Sequence, residues 1–411
     1  MSAEPVPTFP EPCLSAPAPT VEGPTLRMAD GIICLGGEDW WYHNRGHYDM
    51  QMMRELSRDV PVLYVNSIGM RVPSAREGRM FLTRVSRKLR SFRKGFVRVR
   101  DNFGVVSPVA IPGTLGNALT GSLVRRQIRS AAQRMGITRP LLWVANPRGA
   151  EMLDEIDHTA LVYQRTDRFE DFLGVDRAFI RDCDRRLKER AQLTLFCSGV
   201  LHAEERGSCA ASAFVDHGVD YDAFACPKDV KSEPEDLRGI ARPRVGFVGG
   251  IDKHTFDPEL FLKIAHRLPS FRFVMVGACS LPDDWCELKN VHFLGRKPYE
   301  QVASYMSACD VLIMPWNKSE WIQACNPVKL KEYLATGKPV VSSPFPQLER
   351  FGELVRIAPD ADSFVRHITQ AISAPHDPQP GRSFVENSTW RAQADTAHDA
   401  LKDAGIHVVA R

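Results

Sequence analysis

Short apolar runs of strand length alternate with helix-length segments along almost the whole chain, and few folds accommodate that order. Runs at 31–35 (GIICL), 60–66, 141–145, 160–164 and 193–197 are separated by helical patterns at 47–58, 119–135, 149–155 and 177–190. The alternation resumes with strands at 244–248, 271–276, 291–294, 311–314, 340–341 and 355–358, and helices over 258–268, 299–308, 327–336 and 362–374. A strand buried on both faces reads as a continuous apolar run, and an intervening helix is the ordinary means of returning the next strand parallel. The order therefore predicts an α/β protein with parallel sheets. Its 411 residues, 44% of them hydrophobic, suffice for two such domains with separate cores. The charge- and proline-rich stretch 226–243 reads as the linker between a first domain at 28–225 and a second at 244–380.

The remaining composition excludes several classes. Seven prolines in the first 24 positions, without periodic apolar residues, predict a disordered leader over 1–27. A net charge of +3 argues against a general nucleic-acid binder. Ten scattered cysteines with no C-x-x-C pair fit a reducing cytoplasm and predict no metal site. No run is long enough to span a bilayer, and the start lacks the order of a secretion signal. One segment stands apart in charge: residues 71–100 carry eleven Lys or Arg against one acid, Glu77. Within it Phe81, Leu82, Val85, Leu89 and Phe92 recur at helical spacing among basic residues. This basic amphipathic pattern over 81–94 suits docking on an anionic membrane face, and equally an ordinary helix with a solvated basic side. It carries no recognisable nucleic-acid module.

Open parallel sheets bind ligands beyond the carboxyl ends of their strands. Gly249, Gly250, Gly277, Gly295 and the helix start at Asn326 all fall at such ends. That convergence makes the second domain a nucleotide site. Its centre is 311–343, VLIMPWNKSEWIQACNPVKLKEYLATGKPVVSS, read as strand, loop (316–325), helix and strand. Asn326 is expected as the N-cap, Pro327 as the first helical residue and Gly337 as the stop. The free N–H groups of such a helix start seat phosphate, and Lys329 in the first turn adds a full charge. Glu332 and Tyr333 share its face, where a carboxylate can accept hydrogen bonds from ribose hydroxyls. By spacing alone, a solvated Lys–Glu pair accounts for these residues equally well. Gly249 and Gly250 can admit a phosphate and Lys253 can neutralise it. In the first domain, Gly36 and Gly37 follow the first strand, and the loop after them gathers Asp39, Trp40, Trp41, His43, Asn44, Arg45 and His47. Rings beside hydrogen-bonding groups suit a sugar, although core tryptophans and surface histidines give the same pattern.

The segment N-P-V-K-L-K-E-Y-L-A-T-G-K-P-V-V resembles the donor site of retaining GT-B glycosyltransferases of family 4, and more narrowly the branch containing teichuronic-acid and exopolysaccharide enzymes. Two further phrases are similar to that branch, L-V-Y-Q-R-T-D-R-F at 161–169 and H-G-V-D-Y-D-A-F at 217–224. The resemblance implies two Rossmann-like domains facing across a cleft, with the last helix, at 387–401 within the C-terminal segment 381–411, crossing back onto the first. It implies a UDP- or GDP-sugar donor held by Gly249, Gly250, Arg296, Asn326, Pro327, Val328, Lys329 and Glu332. A lipid-linked or glycan acceptor would meet Asn44, Arg45, His47 and Arg165. Lys329 and Lys253 would stabilise the departing diphosphate, with Asp167 and His47 orienting the acceptor. The reaction would retain configuration, use no metal and no cofactor, and run in the cytoplasm at the inner membrane face. The family's second glutamate is absent: its position is Ala324, leaving Glu320, Gln323 or backbone to meet the sugar. An epimerase of the same fold, or a non-catalytic nucleotide-sugar binder, shares the donor half.

Overall fold

The computed structural model describes residues 26–42, 47–67, 86, 89–109, 118–226 and 233–409. After a short strand β1 (Arg27–Ala29), the first unit is built from β2 (Gly31–Leu35), α1 (Tyr48–Leu56), β3 (Val62–Val65), β4 (Phe96–Arg100) and β5 (Phe103–Val106). It continues with α2 (Ala118–Arg134), β6 (Pro140–Val144), β7 (Ala160–Arg165), α3 (Arg177–Arg190), β8 (Leu193–Phe196), α4 (Gly199–Glu205), β9 (Ser212–Phe214) and α5 (Tyr221–Ala225). The eight strands order as β4-β5-β3-β2-β6-β7-β8-β9, parallel except for the edge hairpin β4–β5.

The second unit runs β10 (Arg244–Val248), α6 (Pro258–Arg267), β11 (Arg272–Val276), β12 (Val291–Gly295), α7 (Tyr299–Ser307), β13 (Val311–Met314), α8 (Glu320–Ala324), α9 (Val328–Thr336), β14 (Val340–Ser342) and β15 (Val355–Ile357). Its six strands order as β12-β11-β10-β13-β14-β15, all parallel. Then come α10 (Ala361–Ser373), α11 (Gln379–Val385), α12 (Trp390–Asp403) and β16 (Ile406–Val408).

Each central strand feeds two cores because its side chains alternate faces. Ile32 and Cys34 join one layer with Val62 and Tyr64, while Ile33 and Leu35 join the opposite layer with Leu63 and Val65. In the second sheet Leu312 and Met314 face one layer, and Val311 and Ile313 the other. This is why the strands read as unbroken apolar runs.

Three features depart from the reading of the sequence. The hairpin β4–β5 lies where the basic pattern ended, because Phe96 and Val97 pair with Val106 and Val105. The segment 316–325 is not all loop, since Ser319 caps the short helix α8 through the N–H of Ile322. Nor is 233–243 a free tether: Leu237 and Ile240 are buried in the second core, and the Arg244 guanidinium donates to both their carbonyl oxygens. Of the basic stretch 81–94, the described residues are Ser86 and 89–94, the latter helical with Leu89 exposed. Of the expected disordered leader 1–27, residues 1–25 lie outside the described residues, while Arg27 already pairs with Ile406 in β1.

The chain crosses back at its end. Helix α12 packs on α1, with Trp390, Ala394, Ala397 and Leu401 inside the first unit's core, and β16 pairs parallel to β1. Leu401 is 1% exposed. Leu401→Ala is expected to cost about 2–5 kcal/mol in urea unfolding through transfer and cavity terms, although the residue is far in sequence from the core it completes. A change below 0.5 kcal/mol would show that α12 is only loosely attached.

Candidate functional site

Each sheet reverses its strand order once, between β2 and β6 in the first unit and between β10 and β13 in the second. A crevice opens at such a point, because the connections on either side leave in opposite directions. In the second unit the turn Gly249–Gly250 leaves β10 at this place, and Pro315 leaves β13. Neighbouring strand ends are drawn tight by glycine. Gly277 has φ +156°, and a Cβ there would fall 1.7 Å from the Gly249 carbonyl oxygen. Its N–H donates to Gly295 at 3.0 Å.

Helix α9 starts beside this crevice. Pro327, not Asn326, is its N-cap, and among the described residues no side chain caps the helix. By contrast Asp257, Ser319, Asp360 and Thr389 cap α6, α8, α10 and α12. The expected capping role of Asn326 is therefore corrected. Its amide instead crosses to the first unit, donating to the Cys197 carbonyl and to Asp216 Oδ1 at 2.8 Å. A buried carboxylate needs donors more than a helix end that can take a ligand or water. Inside the first turns, Lys329 Nζ donates to Glu332 Oε2 at 2.6 Å. The Glu332 side chain is 1% exposed and Lys329 27%, so the carboxylate is walled in while the ammonium reaches the crevice. The nearby Tyr299 phenol is pushed up by burial and by the Glu332 charge. Val328 is half-buried; Arg296 and Lys253 are exposed, and the Lys253 carbonyl anchors Asn317 Nδ2 at 3.1 Å.

On the facing wall, the Gly37 N–H donates to Asp49 Oδ2 at 2.8 Å, and the Tyr64 hydroxyl donates to the same oxygen at 2.7 Å. A Cβ on Gly36 would enter the Tyr64 ring at 2.2 Å, which explains the first glycine of the pair. His47 immediately precedes α1. The residue is exposed, yet partial desolvation of its ring lowers its pKa; Asp49 opposes the shift, and the charges of Lys329 and Arg296 add to it. The imidazole thus stands within electrostatic reach of two cations of the other unit. Asn44 and Arg45 lie outside the described residues. The tryptophans of this loop are structural. Trp40 is core, and Trp41 donates to Ser107 Oγ with Lys94 over its ring.

Arg165 is not presented to the cleft. Its side chain is 0% exposed, paired with Glu170, Asp184 and Glu205. Charge at the end of a buried strand demands partners, and three carboxylates satisfy it; the acceptor role is withdrawn. Asp167, two residues on, has its carboxyl pushed up to about 6, chiefly by burial, with Thr166 and Arg165 opposing.

The seam between units contains residues that periodicity could not reveal. Asp216 receives Lys331 Nζ at 3.0 Å and Arg350 at 2.6 Å besides Asn326. All three donors come from the second unit. Phe172 of the first meets His254 and Trp321 of the second at 5.5 and 6.1 Å between ring centroids. Ala324, where the resembled family has glutamate, is buried against Phe196 and Leu201, while Glu320 is exposed and Gln323 half-buried. The H-G-V-D phrase next to Asp216 was the available sequence signal; a single carboxylate before it carries no period. Among the described residues no group of three or more His, Cys, Asp or Glu could hold a metal ion, and no helix is long and apolar enough to cross a membrane.

Two parallel sheets with opposed crevices define the GT-B fold. Sucrose-phosphate synthase of Thermosynechococcus elongatus superposes with TM-score 0.67 at 14% identity, covering 91% of this chain and 98% of that one. Anabaena HepE, in complex with UDP-glucose, superposes at 0.60 with 16% identity over 91% and 97%. Residues 242–374 match the sequence profile of the family described as "Glycosyl transferases group 1". Bacillus subtilis TuaH, named for a glycosyltransferase of teichuronic acid biosynthesis, is 31% identical over 183 residues, 42% of this chain. That alignment spans 46%, about half, of TuaH.

Burial alone would raise the Asp216 carboxyl, but Lys331 and Arg350 outweigh it and hold the pKa below the usual range. A depressed folded-state value contributes stability that is complete above the unfolded pKa, about 3.9, and is lost as pH falls through the folded value. Asp216→Asn is expected to cost about 3–5 kcal/mol at pH 7, because Lys331 is left buried without its counter-ion. It should also flatten this part of the acid limb in pH-dependent urea unfolding. A variant as stable as the parent at pH 7 would mean that the units are held elsewhere.

Proposed function

We propose that this protein is a GT-B glycosyltransferase that takes a nucleoside-diphosphate sugar at the second unit and an acceptor at the first. The observation that carries the reading is the uncapped start of α9 at a strand-order reversal, with Glu332 buried one turn in and His47 facing it from the other unit. Helix amides and Lys329 form a fixed positive potential suited to pyrophosphate, and Glu332 suits the ribose hydroxyls. The family profile over 242–374 and the UDP-glucose bound by HepE support a nucleotide-sugar donor.

The chemical difficulty is the charge that grows on the departing diphosphate. Preorganised donors aimed at that charge lower the barrier because they need no reorganisation at the moment of reaction. Lys329, the first amides of α9 and the exposed Lys253 and Arg296 supply it here. Retention of configuration without a metal follows the resembled family: the leaving phosphate takes the acceptor proton, so no dedicated protein base is required. His47 and Asp167 then orient the acceptor. With its carboxyl near 6, Asp167 changes charge close to neutrality. The name of TuaH, a glycosyltransferase of teichuronic acid biosynthesis, supports a role in polysaccharide assembly; the acceptor is then a glycan or lipid-linked glycan, met at the cytoplasmic membrane face through the basic stretch 81–94.

Incubation with a panel of UDP- and GDP-sugars tests the assignment. A transferase releases nucleotide and free sugar slowly without acceptor; an epimerase changes the sugar, and a binder does neither. Glu332→Gln is expected to weaken donor binding by about 10- to 100-fold, the worth of hydrogen bonds to a charged group, in calorimetry on folded protein. Unchanged binding would remove the ribose contact. Lys329→Met is expected to lower kcat by about 100-fold with a smaller effect on donor affinity. Equal losses would reduce Lys329 to a ground-state contact.

A further inference from the structure

At the opposite end of the second sheet, below the amino ends of β10, β13 and β14, lies a cavity of about 670 Å³ that the proposed reaction does not use. Arg242, Lys338, His376 and Arg382 line it against one lining carboxylate, Asp310. Arg242 pairs with Asp310. Arg382 donates to the Ala335 and Thr336 carbonyls at 3.3 and 3.1 Å, offsetting the negative end of α9. Lys338 is different. Among the described residues no ion pair joins it, and burial is the main cause of a lowered pKa, only partly opposed by Asp310. Arg356 lies near His376 and adds positive potential, while Asp377 subtracts from it. The rest of the lining includes the apolar faces of Pro339, Ile372 and Pro378.

We infer that this cavity binds a small phosphorylated organic molecule, with its phosphate on Lys338 and Arg242 and its organic part against Pro339, Ile372 and Pro378. A half-buried ammonium with no ion-pair partner among the described residues, facing a carboxylate already engaged by Arg242, is a cost that a phosphate removes, and the volume falls in the range of small-molecule sites. It exceeds what a bare phosphate fills. Residues lining the cavity also include Thr336 and Gly337, the last turn of α9. The two anion sites therefore lie at opposite ends of one nine-residue helix, about 13 Å apart.

Pyridoxal 5′-phosphate is a direct probe of the full chain. Its aldehyde condenses with an unprotonated lysine amine with loss of water, and borohydride adds hydride to the imine carbon to leave a stable secondary amine that peptide mapping locates. Lys338 is expected to label at least fivefold faster than the exposed Lys263 and Lys289. Glucose 1-phosphate should protect it at lower concentration than inorganic phosphate, and Arg242→Gln should weaken that protection at least threefold. Labelling of Lys338 at the rate of the exposed lysines, or indifference to both phosphates, would overturn the site. Equal protection by the two would overturn the organic half of the inference. Lys329 and Lys338 are read separately by mapping, and labelling of Lys338 in Lys329→Met should be unchanged, so the outcome is independent of the donor assignment.

Discussion

A buried carboxylate ties the two halves together at their seam. Asp216 follows the last strand of the first sheet and is held by Lys331, Arg350 and Asn326, all from the second unit. An ion pair withdrawn from water is a weak contributor to net stability but a strict one in geometry, because a shift that separates the partners exposes each to an uncompensated burial cost. The arrangement fixes which faces of the two sheets meet. Lys331 and Asn326 belong to the same short segment as Lys329 and Glu332, so the contact that joins the units also positions the start of α9, where the donor is proposed to bind.

The consequence is a division of labour along α9. Alternate faces of this helix serve different ends: Lys331 is turned to the seam, Lys329 to the crevice, and Leu330 and Leu334 to the second core. Removing Asn326 from the helix cap follows from the same economy. Its amide adds a third donor from the second unit to Asp216, beside Lys331 and Arg350, and the first N–H groups of α9 are left without a side-chain cap. Local capping propensity at this segment yields to the contact between the units.

Much of the fold could be read in the sequence because the central strands of both sheets are buried on both faces, so that each of these is a plain apolar run. The elements that escaped were those with weak patterns. Helix α8 has five residues, too few for a period; β1 and β16 have three residues each and pair across the whole chain. At the site, the cluster Lys329–Glu332 was legible from helical spacing and glycine from strand ends. Arg165 misled because a charged residue at a strand end looks exposed until Glu170 from the next loop, Asp184 from α3 and Glu205 from α4 close on it. Asp216 was invisible for the same reason: the partners that give it meaning lie more than a hundred residues away.

The return of α12 and β16 has an implication for biogenesis. The core of the first unit includes Trp390, Ala394, Ala397, Leu401 and Ile406, whereas the second unit's two main layers extend no further along the chain than Val385. During synthesis the half translated later can mature earlier, since nearly every side chain it requires has emerged while its predecessor still waits for its closing helix. Until that helix docks, the exposed flank of α1 presents an apolar groove to the surroundings, and a chaperone or a neighbouring nascent chain would find its opening there.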